Sequence, residues 1–323
     1  MSASGGAARG GDAHTFAEPA PLSSRPPATR GPLADVRQVV AIARLTVLEA
    51  TRKKLVIALL VITALVIALS TVMFSRLGDI TVGRNATRLT PGEIRTFTSQ
   101  FLVFIMFMFS FVLALSAVFM ASPAISGEIE SGVALAILTR PVARAQVLLG
   151  KWLGLGVLVV AYVAGSSLVE FALTDLGTGY FPPHPWLFMA YMAGETLVIL
   201  TLAILVSTRL PAMAGGIVAL GAFGMAWVGG IVGAIGAAFG NGTIANIGTA
   251  TRLLVPSDAL WHGAHYALEP DAVIAGANAA SRAFAANPFI AVQPPPPTLD
   301  LWAAAWIVAV LALAIWSFRA REI

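Results

Sequence analysis

The chain has 323 residues, of which 58% are hydrophobic and only 11% are charged. So little polar surface cannot cover a water-soluble globule, and this composition excludes a soluble enzyme. The chain contains no cysteine, which excludes disulfides, thiolate nucleophiles and iron–sulfur clusters, and its net charge of +4 has to be interpreted by position.

The N-terminal part of the chain changes character near residue 33. Residues 1–32 are rich in Gly, Ala, Ser and Pro without hydrophobic periodicity, which predicts a disordered cytoplasmic tail. From residue 33 to Leu55, apolar residues such as Val36 and Val40 fall largely on one helical side, with arginines elsewhere. This pattern predicts an amphipathic helix on the inner membrane surface.

Six apolar segments approach the roughly 20 residues that a membrane-spanning helix needs. We therefore expect an all-α integral membrane protein with one transmembrane domain over residues 33–323. The predicted spans are Leu55–Ser75, Phe101–Met120, Trp152–Leu173, Leu187–Val206, Ala212–Ile235 and Leu301–Phe318.

The distribution of basic residues predicts the orientation of these spans. With both termini inside, 14 of the 20 Lys and Arg residues lie on the inner side and six on the outer side. The positive-inside rule therefore places both termini in the cytoplasm of a cell whose plasma (inner) membrane holds the chain. A basic net charge explained in this way gives no indication of nucleic-acid binding.

No charged residue marks the end of the fifth span, because residues 210–251 contain none. This stretch can hold one span plus a short re-entrant or second passage, and we prefer six spans to seven. Its motifs Gly229-x-x-x-Gly233 and Gly236-x-x-x-Gly240 predict close approach of another helix. Residues 240–298 then form an outer loop with two short helices, begun by Pro256-Ser257-Asp258 and Pro270-Asp271, before the proline run 294–297.

The inner loop between the second and third spans covers residues 122–151. It is too polar to cross the membrane and more apolar than a solvated linker. A short helix with Leu135 and Leu138 on one side can dock on a partner protein while charged residues pair at the rim. No nucleotide site accompanies it, because Gly150-Lys151 is followed by Trp152 and the phosphate-cradling glycine loop is missing. ATP and Mg²⁺ are therefore expected only on a separate chain.

Two glutamates and two histidines are the remaining candidates for a functional site. Glu195 lies nine residues into the fourth span, where a charge is costly, so we expect it to face the protein interior as a hydrogen-bond partner or as a substrate- or proton-contacting group. Glu170 is a second candidate for a translocation pathway, although its place near the outer end of the third span predicts a solvated side chain. His262 and His265 can share a metal with a nearby carboxylate, but we prefer an interfacial role without metal.

The order of these elements and three motifs of the inner loop resemble the permease subunits of ABC-2 type ABC transporters, over about Asp35 to the C-terminus. Within that family the chain is most similar to the branch that contains the permease of nitrous oxide reductase maturation, through Pro256-Ser257-Asp258. In many members the glycine that ends the first of these motifs is followed by threonine, whereas in this chain Gly132 is followed by Val133. The motifs are Glu128-Ile-Glu130-Ser-Gly132, Leu138-Thr-Arg140-Pro141-Val-Ala-Arg144 and Gly150-Lys151.

The resemblance implies that the inner loop is a cytoplasmic coupling helix seated in a cleft of a separate ATPase subunit. The coupling residues that it implies are Glu128, Glu130, Gly132, Arg140, Pro141, Arg144 and Lys151. It further implies a dimer of permease chains, identical or different, with two ATPase subunits, which together act as an exporter. The chain itself is then no enzyme and holds no cofactor or metal.

Two other functions remain open from the residues themselves. An ion-coupled secondary transporter would use Glu195 and Glu170 as proton sites. Alternatively, an ATP-driven assembly device would act on an extracytoplasmic partner through the loop 240–298.

Overall fold

A computed structural model describes residues 32–79, 81–82, 87–130, 143–279, 291 and 293–321. The predicted N-terminal tail and the centre of the coupling segment, residues 131–142, lie outside these ranges. The described helices, in chain order, are α1 (Pro32–Thr51), α2 (Lys54–Ser75), α3 (Pro91–Glu130), α4 (Arg144–Thr178), α5 (Pro185–Ser207), α6 (Ala212–Ala238), α7 (Gly242–Leu254), α8 (Ser257–Leu268), α9 (Asp271–Ala279) and α10 (Pro297–Arg319).

Six of these helices, namely α2 to α6 and α10, are long and apolar enough to cross a membrane, within the part of the chain that the structure describes. This confirms the prediction of an all-α membrane protein with six spans. Outside the helices, a 3-10 turn at Leu77–Asp79 precedes two antiparallel strands of two residues each, in which Thr81 pairs with Arg88 and Val82 with Thr87. The core lies around α5, and α2 is the least buried span.

Helices α3 and α4 are much longer than their predicted spans. They contain 40 and 35 residues, which at 1.5 Å per residue gives lengths of about 60 Å and about 50 Å. The hydrocarbon core is only about 30 Å thick. Both helices therefore continue past the membrane, up to the two edges of the coupling segment.

Helix α1 packs along the first turns of α4 in the same direction. A Cβ on Gly150 would lie 2.6 Å from the Cβ of Ile42, and one on Gly154 would lie 2.5 Å from the carbonyl oxygen of Ala43. Only glycine permits this approach. The opposite face of α1 exposes Val36, Val40, Leu45 and Leu48, and Arg37 and Arg44 lie on the same face instead of on a separate side as predicted.

Helices α6 and α7 form a tight hairpin in the uncharged stretch. The chain reverses at Gly240, whose φ of +71° suits glycine, and the Asn241 side chain accepts a hydrogen bond from the Ile244 amide to cap α7. A Cβ on Gly233 would lie 2.5 Å from the Cα of Gly248, so the two backbones touch. Close packing at the glycines is confirmed. Helix α7 has 13 residues and is about 20 Å long, which is too short to cross a hydrocarbon core of about 30 Å. It is therefore a short return passage, and the six-span count holds.

Helix α8 begins at Ser257 and α9 at Asp271, as the Pro-Ser-Asp and Pro-Asp signals predict. Most of α8 is buried against α5, α6 and α10, so this part of the predicted outer loop belongs to the bundle. The indoles of Trp302 and Trp306 on α10 donate to the Leu253 and Leu254 carbonyls at 3.0 and 2.9 Å. These bonds satisfy backbone groups in the turn between the end of α7 and the start of α8 (residues 252–258), which we call the tip between α7 and α8.

Candidate functional site

Glu195 lies in the middle of α5 with 4% of its surface exposed, as expected for a glutamate inside a membrane span. The Ser110 hydroxyl on α3 donates to Glu195 Oε1 at 2.8 Å. The second oxygen, Oε2, is buried without a hydrogen-bond partner among the described residues. One half of this carboxyl group is thus held by the neighbouring helix, and the other half is available to bind a polar group or a proton.

Asp258 brings a second buried carboxylate into the same region, from the first turn of α8. Its side chain fits only because Gly230 on α6 lacks one, since a Cβ there would lie 2.2 Å from the carboxylate. Arg252 Nε approaches Asp258 Oδ2 at 2.7 Å and balances its charge. The charge of Asp258 also acts electrostatically on Glu195. A Cβ on Gly194, next to Glu195, would lie 3.5 Å from Leu260 Cδ1, so the start of α8 packs beside the glutamate.

His262 lies one helical turn after Asp258, with its Nε2 atom 3.7 Å from Asp258 Oδ1. Burial lowers the pKa of His262 to about 4, and the positive charge of Arg252 acts in the same direction against the attraction of Asp258. The imidazole is therefore neutral at pH 7.

His265 pairs with a different carboxylate from His262. Its Nε2 atom lies 2.9 Å from Glu269 Oε1, outside hydrogen-bond geometry, and both side chains are fully buried. Glu269 also accepts a bond from the Ala291 amide at 3.3 Å. No group of three metal-ligating side chains occurs in the ranges that the structure describes. The two histidines thus do not converge on one ligand position.

Tyr180 lies at the end of this region where α5 begins, after α4 has ended. Its hydroxyl donates to the carbonyl oxygen of Leu268. Burial, together with the negative charge of Glu269, raises the pKa of Tyr180 above its ordinary value. The phenol therefore stays protonated and remains a donor that ties the α4–α5 connection to the end of α8.

The expectation that Glu170 is solvated is wrong. Its side chain on α4 is 2% exposed, and the Ser70 hydroxyl of α2 donates to Glu170 Oε2 at 3.0 Å. The hydroxyls of Thr63 and Tyr162 make a second polar contact between the same two helices. Glu170 thus bonds to α2 whereas Glu195 bonds to α3, so the structure does not unite the two glutamates in one site.

The predicted coupling residues fall partly outside the described ranges. Gly132, Arg140 and Pro141 lie there, with the predicted short helix, and Glu128 and Glu130 belong to the last turn of α3. Arg144 and Lys151 are described, and both make contacts within the chain.

Arg144 and Lys151 connect the coupling segment to the rest of the bundle. Arg144 Nη1 donates to the carbonyl oxygens of Phe318, Arg319 and Arg321, at 3.4, 3.3 and 2.6 Å respectively. Lys151 is buried on α4 and donates to the carbonyl oxygen of Ala124 on α3. These bonds fasten the start of α4 to the ends of α3 and α10.

Sequence reasoning missed the polar cluster that joins the ends of α5 and α10. Arg209 Nε donates to Ser317 Oγ at 2.8 Å, Thr208 and Ser317 share a hydroxyl contact at 2.8 Å, and Arg321 Nη1 donates to the Thr208 carbonyl at 2.6 Å. These arginines had served only to predict orientation. The one available signal was their place at span ends, where basic side chains satisfy the last helical carbonyls.

Comparison with known proteins supports a transport function. The family described as ABC-2 family transporter protein matches residues 40–323. Over 165 residues the chain is 29% identical to the probable ABC transporter permease protein NosY of Stutzerimonas stutzeri, covering 50% of this chain and 55% of that protein. Over 139 residues it is 31% identical to the protein of the same name in Pseudomonas aeruginosa, covering 43% of this chain and 46% of the relative. The chain thus spans about half the length of the curated relatives it matches.

Proposed function

Because the chain belongs to the ABC-2 family of transporter proteins, we propose that it is the permease subunit of an ATP-driven exporter. The observation that carries this proposal is the extent of the family match, which includes all six spans and the segment between α3 and α4. ATP and Mg²⁺ would bind to a separate ATPase chain, since this sequence has no phosphate-binding loop.

The lengths of α3 and α4 support coupling through the segment between them. The two helices reach from inside the bundle to the two edges of residues 131–142. Near that end of α3, Pro123 removes one backbone hydrogen bond of the helix. The bond from Lys151 to Ala124 joins them close to that end. A force that an ATPase exerts on the coupling segment therefore reaches both helices together.

Helix α3 also provides a path from the coupling segment to Glu195. Ser110, which donates to Glu195, and Glu130 at the end of α3 are separated by 20 residues, or about 30 Å of helix. A shift of α3 along or about its axis changes the distance from Ser110 to Glu195. We assign Glu195 to the translocation pathway on this basis, with Asp258 and Arg252 beside it.

The proposed assembly contains two permease chains and two ATPase subunits in the plasma membrane. Helix α2 exposes most of its apolar side chains, among them Leu60, Leu65 and Leu69. Such a surface has to be covered by lipid or by a second chain.

Charge reversal in the coupling segment tests the ATPase partnership. We expect Glu128→Lys with Glu130→Lys to lower copurification of the ATPase by about tenfold, since close interfacial charge pairs are worth more than 1.4 kcal/mol. The matched control is Asp79→Lys with Asp175→Lys, which makes the same change of charge at exposed positions on the predicted outer side. Equal copurification of both double variants would show that the segment does not contact the ATPase.

A further inference from the structure

A cavity of about 280 Å³ lies between α2, α3 and α4, near the end of the bundle that carries α1. Its lining is mostly aliphatic and includes Leu59, Leu60, Leu113 and Val159, with Thr51 contributed by the last turn of α1. None of the contacts described for the translocation pathway involves this cavity. It lies on the other side of α3 from the tip between α7 and α8.

The polar groups in the cavity lining are already used within the chain. Thr51 Oγ1 donates to the Leu48 carbonyl at 3.1 Å, and Ser116 Oγ donates to the Val112 carbonyl at 2.6 Å. The Tyr162 hydroxyl is bonded to Thr63. Water needs two to four polar partners to stay in a cavity, so this lining favours an apolar occupant.

The cavity opens towards the bilayer at the exposed side of α2. Leu60 in its lining is 52% exposed, and α2 is the least buried span. Leu60 follows Lys54, the first residue of α2, by six positions, so the opening lies about 9 Å from the start of the helix. An occupant entering there reaches the interior from the bilayer, within one leaflet.

Cationic residues stand at the start of α2, beside this opening. Arg52 and Lys54 are exposed, and Lys53 lines a smaller neighbouring cavity of about 30 Å³ together with Lys151. Met120 lines both cavities, which are therefore adjacent. Lys53 forms an ion pair with Glu49 at 2.9 Å. Arg52 and Lys54 are therefore the cations that, beside the apolar space, match the headgroup of an anionic phospholipid.

We propose that the cavity binds one acyl chain of an anionic phospholipid, whose phosphate lies against Arg52 and Lys54. An apolar cavity of about 150 Å³ accepts benzene, so this one has room for roughly ten carbons of an acyl chain. In the orientation that the basic residues predict, the lipid belongs to the cytoplasmic leaflet. The site depends on neither the ATPase partnership nor transport.

Native mass spectrometry of the purified full chain tests the acyl-chain half of the site, with phosphatidylglycerol as the added probe. We expect the wild-type chain to retain one phosphatidylglycerol. Leu60→Trp places an indole in the cavity opening and should weaken binding by about tenfold or more, since displacing two methylene groups already has that effect. The matched control is Leu65→Trp, at an equally exposed position of α2 outside the cavity, which should bind like the wild type.

Phosphatidylcholine with the same acyl chains tests the headgroup half. The wild-type chain should prefer phosphatidylglycerol, and Arg52→Gln with Lys54→Gln should remove that preference without changing phosphatidylcholine binding. Arg76→Gln with Arg95→Gln, at exposed positions on the predicted outer side, provides the control of equal charge. The proposal is overturned if Leu60→Trp and Leu65→Trp bind alike, if the wild type binds both lipids equally, or if Leu60→Trp disrupts a dimer that contains no lipid.

Discussion

One carboxyl oxygen of Glu195 accepts a hydrogen bond from Ser110, and the other has no hydrogen-bond partner among the described residues. This difference makes the role of Glu195 testable. Glu195→Gln preserves the shape and the acceptor for Ser110 but removes any charge. We expect this variant to assemble with the ATPase at wild-type yield and to lose substrate-stimulated ATP hydrolysis or export. Measurement of hydrolysis and transport in proteoliposomes checks the prediction.

Two further variants separate this role from a structural one. Glu195→Ala leaves a gap and an unpaired Ser110 hydroxyl, at a cost of about 1–3 kcal/mol, and should lower the yield. Glu170→Gln, on the α2 side, should leave transport unchanged because Glu170 is outside the proposed pathway. If Glu195→Gln transports like the wild type and only Glu195→Ala loses yield, Glu195 is a packing residue.

His262 predicts a loss of stability in mild acid. The folded chain keeps this side chain neutral down to a pKa of about 4, whereas an unfolded histidine takes up its proton near pH 6.5. Between these values the unfolded state binds more protons, so stability falls as pH decreases from about 6.5 towards 4. The contribution at pH 5 is at most about 2 kcal/mol, reduced by solvent because 24% of the side chain is exposed.

Thermal unfolding in detergent at pH 7 and pH 5 measures this contribution. We expect the unfolding midpoint of His262→Gln to fall less on acidification than that of the wild type. His184→Gln changes an exposed histidine and should follow the wild type. Equal decreases for wild type and His262→Gln would show that carboxylates alone cause the acid sensitivity.

Burial of a polar side chain was predictable only where the residues next to it in the sequence required it. Glu195 is flanked by about ten apolar residues on each side, so the cost of an exposed charge in lipid already placed it inside. Glu170 lies closer to a span end, and its partner Ser70 is 100 residues away in sequence. The pairing of Arg252 with Asp258 depends on Gly230, a residue that carries no chemical signal of its own.

At the scale of the helices, the α6–α7 hairpin depends on the absence of side chains. Gly233→Ala would place a Cβ 2.5 Å from the Gly248 backbone, so the helices must separate, which costs about 1–3 kcal/mol. Gly224→Ala on the same helix meets no atom within 4 Å and should not destabilise the chain. Thermal unfolding of the two variants tests the difference, and equal midpoints would contradict the observed packing.

Hydropathy identified the six spans because each needs a long apolar run, but it could not define what continues beyond the membrane. Helices α3 and α4 extend into polar sequence that no lipid constrains, so their predicted bounds were too short at both ends. The sequence left open whether a short second passage follows the fifth span, because residues 210–251 carry no charge and, between Ala212 and Thr251, no proline to mark where α7 begins. The glycines predicted that some helix approaches α6, and the structure identifies it as the next one in the chain.

At the scale of the whole molecule, side-chain bonds define which chain segments share an end of the bundle. At one end, Arg144 bonds to the carbonyls of Phe318, Arg319 and Arg321, and Arg321 bonds to Thr208, so α4, α5 and α10 meet there. At the other end, the His184 amide bonds to the Ala267 carbonyl at 3.3 Å, which joins the start of α5 to the end of α8. The relative sides of the loops follow from the fold, and only the absolute orientation rests on the basic residues.

Single cysteines test this absolute orientation without background, because the chain has no cysteine of its own. A membrane-impermeant thiol reagent added to intact cells should label Thr81→Cys and Asn278→Cys. It should label Val142→Cys and Ile323→Cys only after the membrane is opened, since 14 of the 20 basic residues favour the cytoplasm for that end. Labelling of all four positions in the reverse pattern would invert the molecule and place the cations of residues 52–54 outside. An outside label at Ile323→Cys together with an inside label at Val142→Cys would contradict the six-span fold itself, because the bonds of Arg144 hold residues 318–321 at the same end as the start of α4.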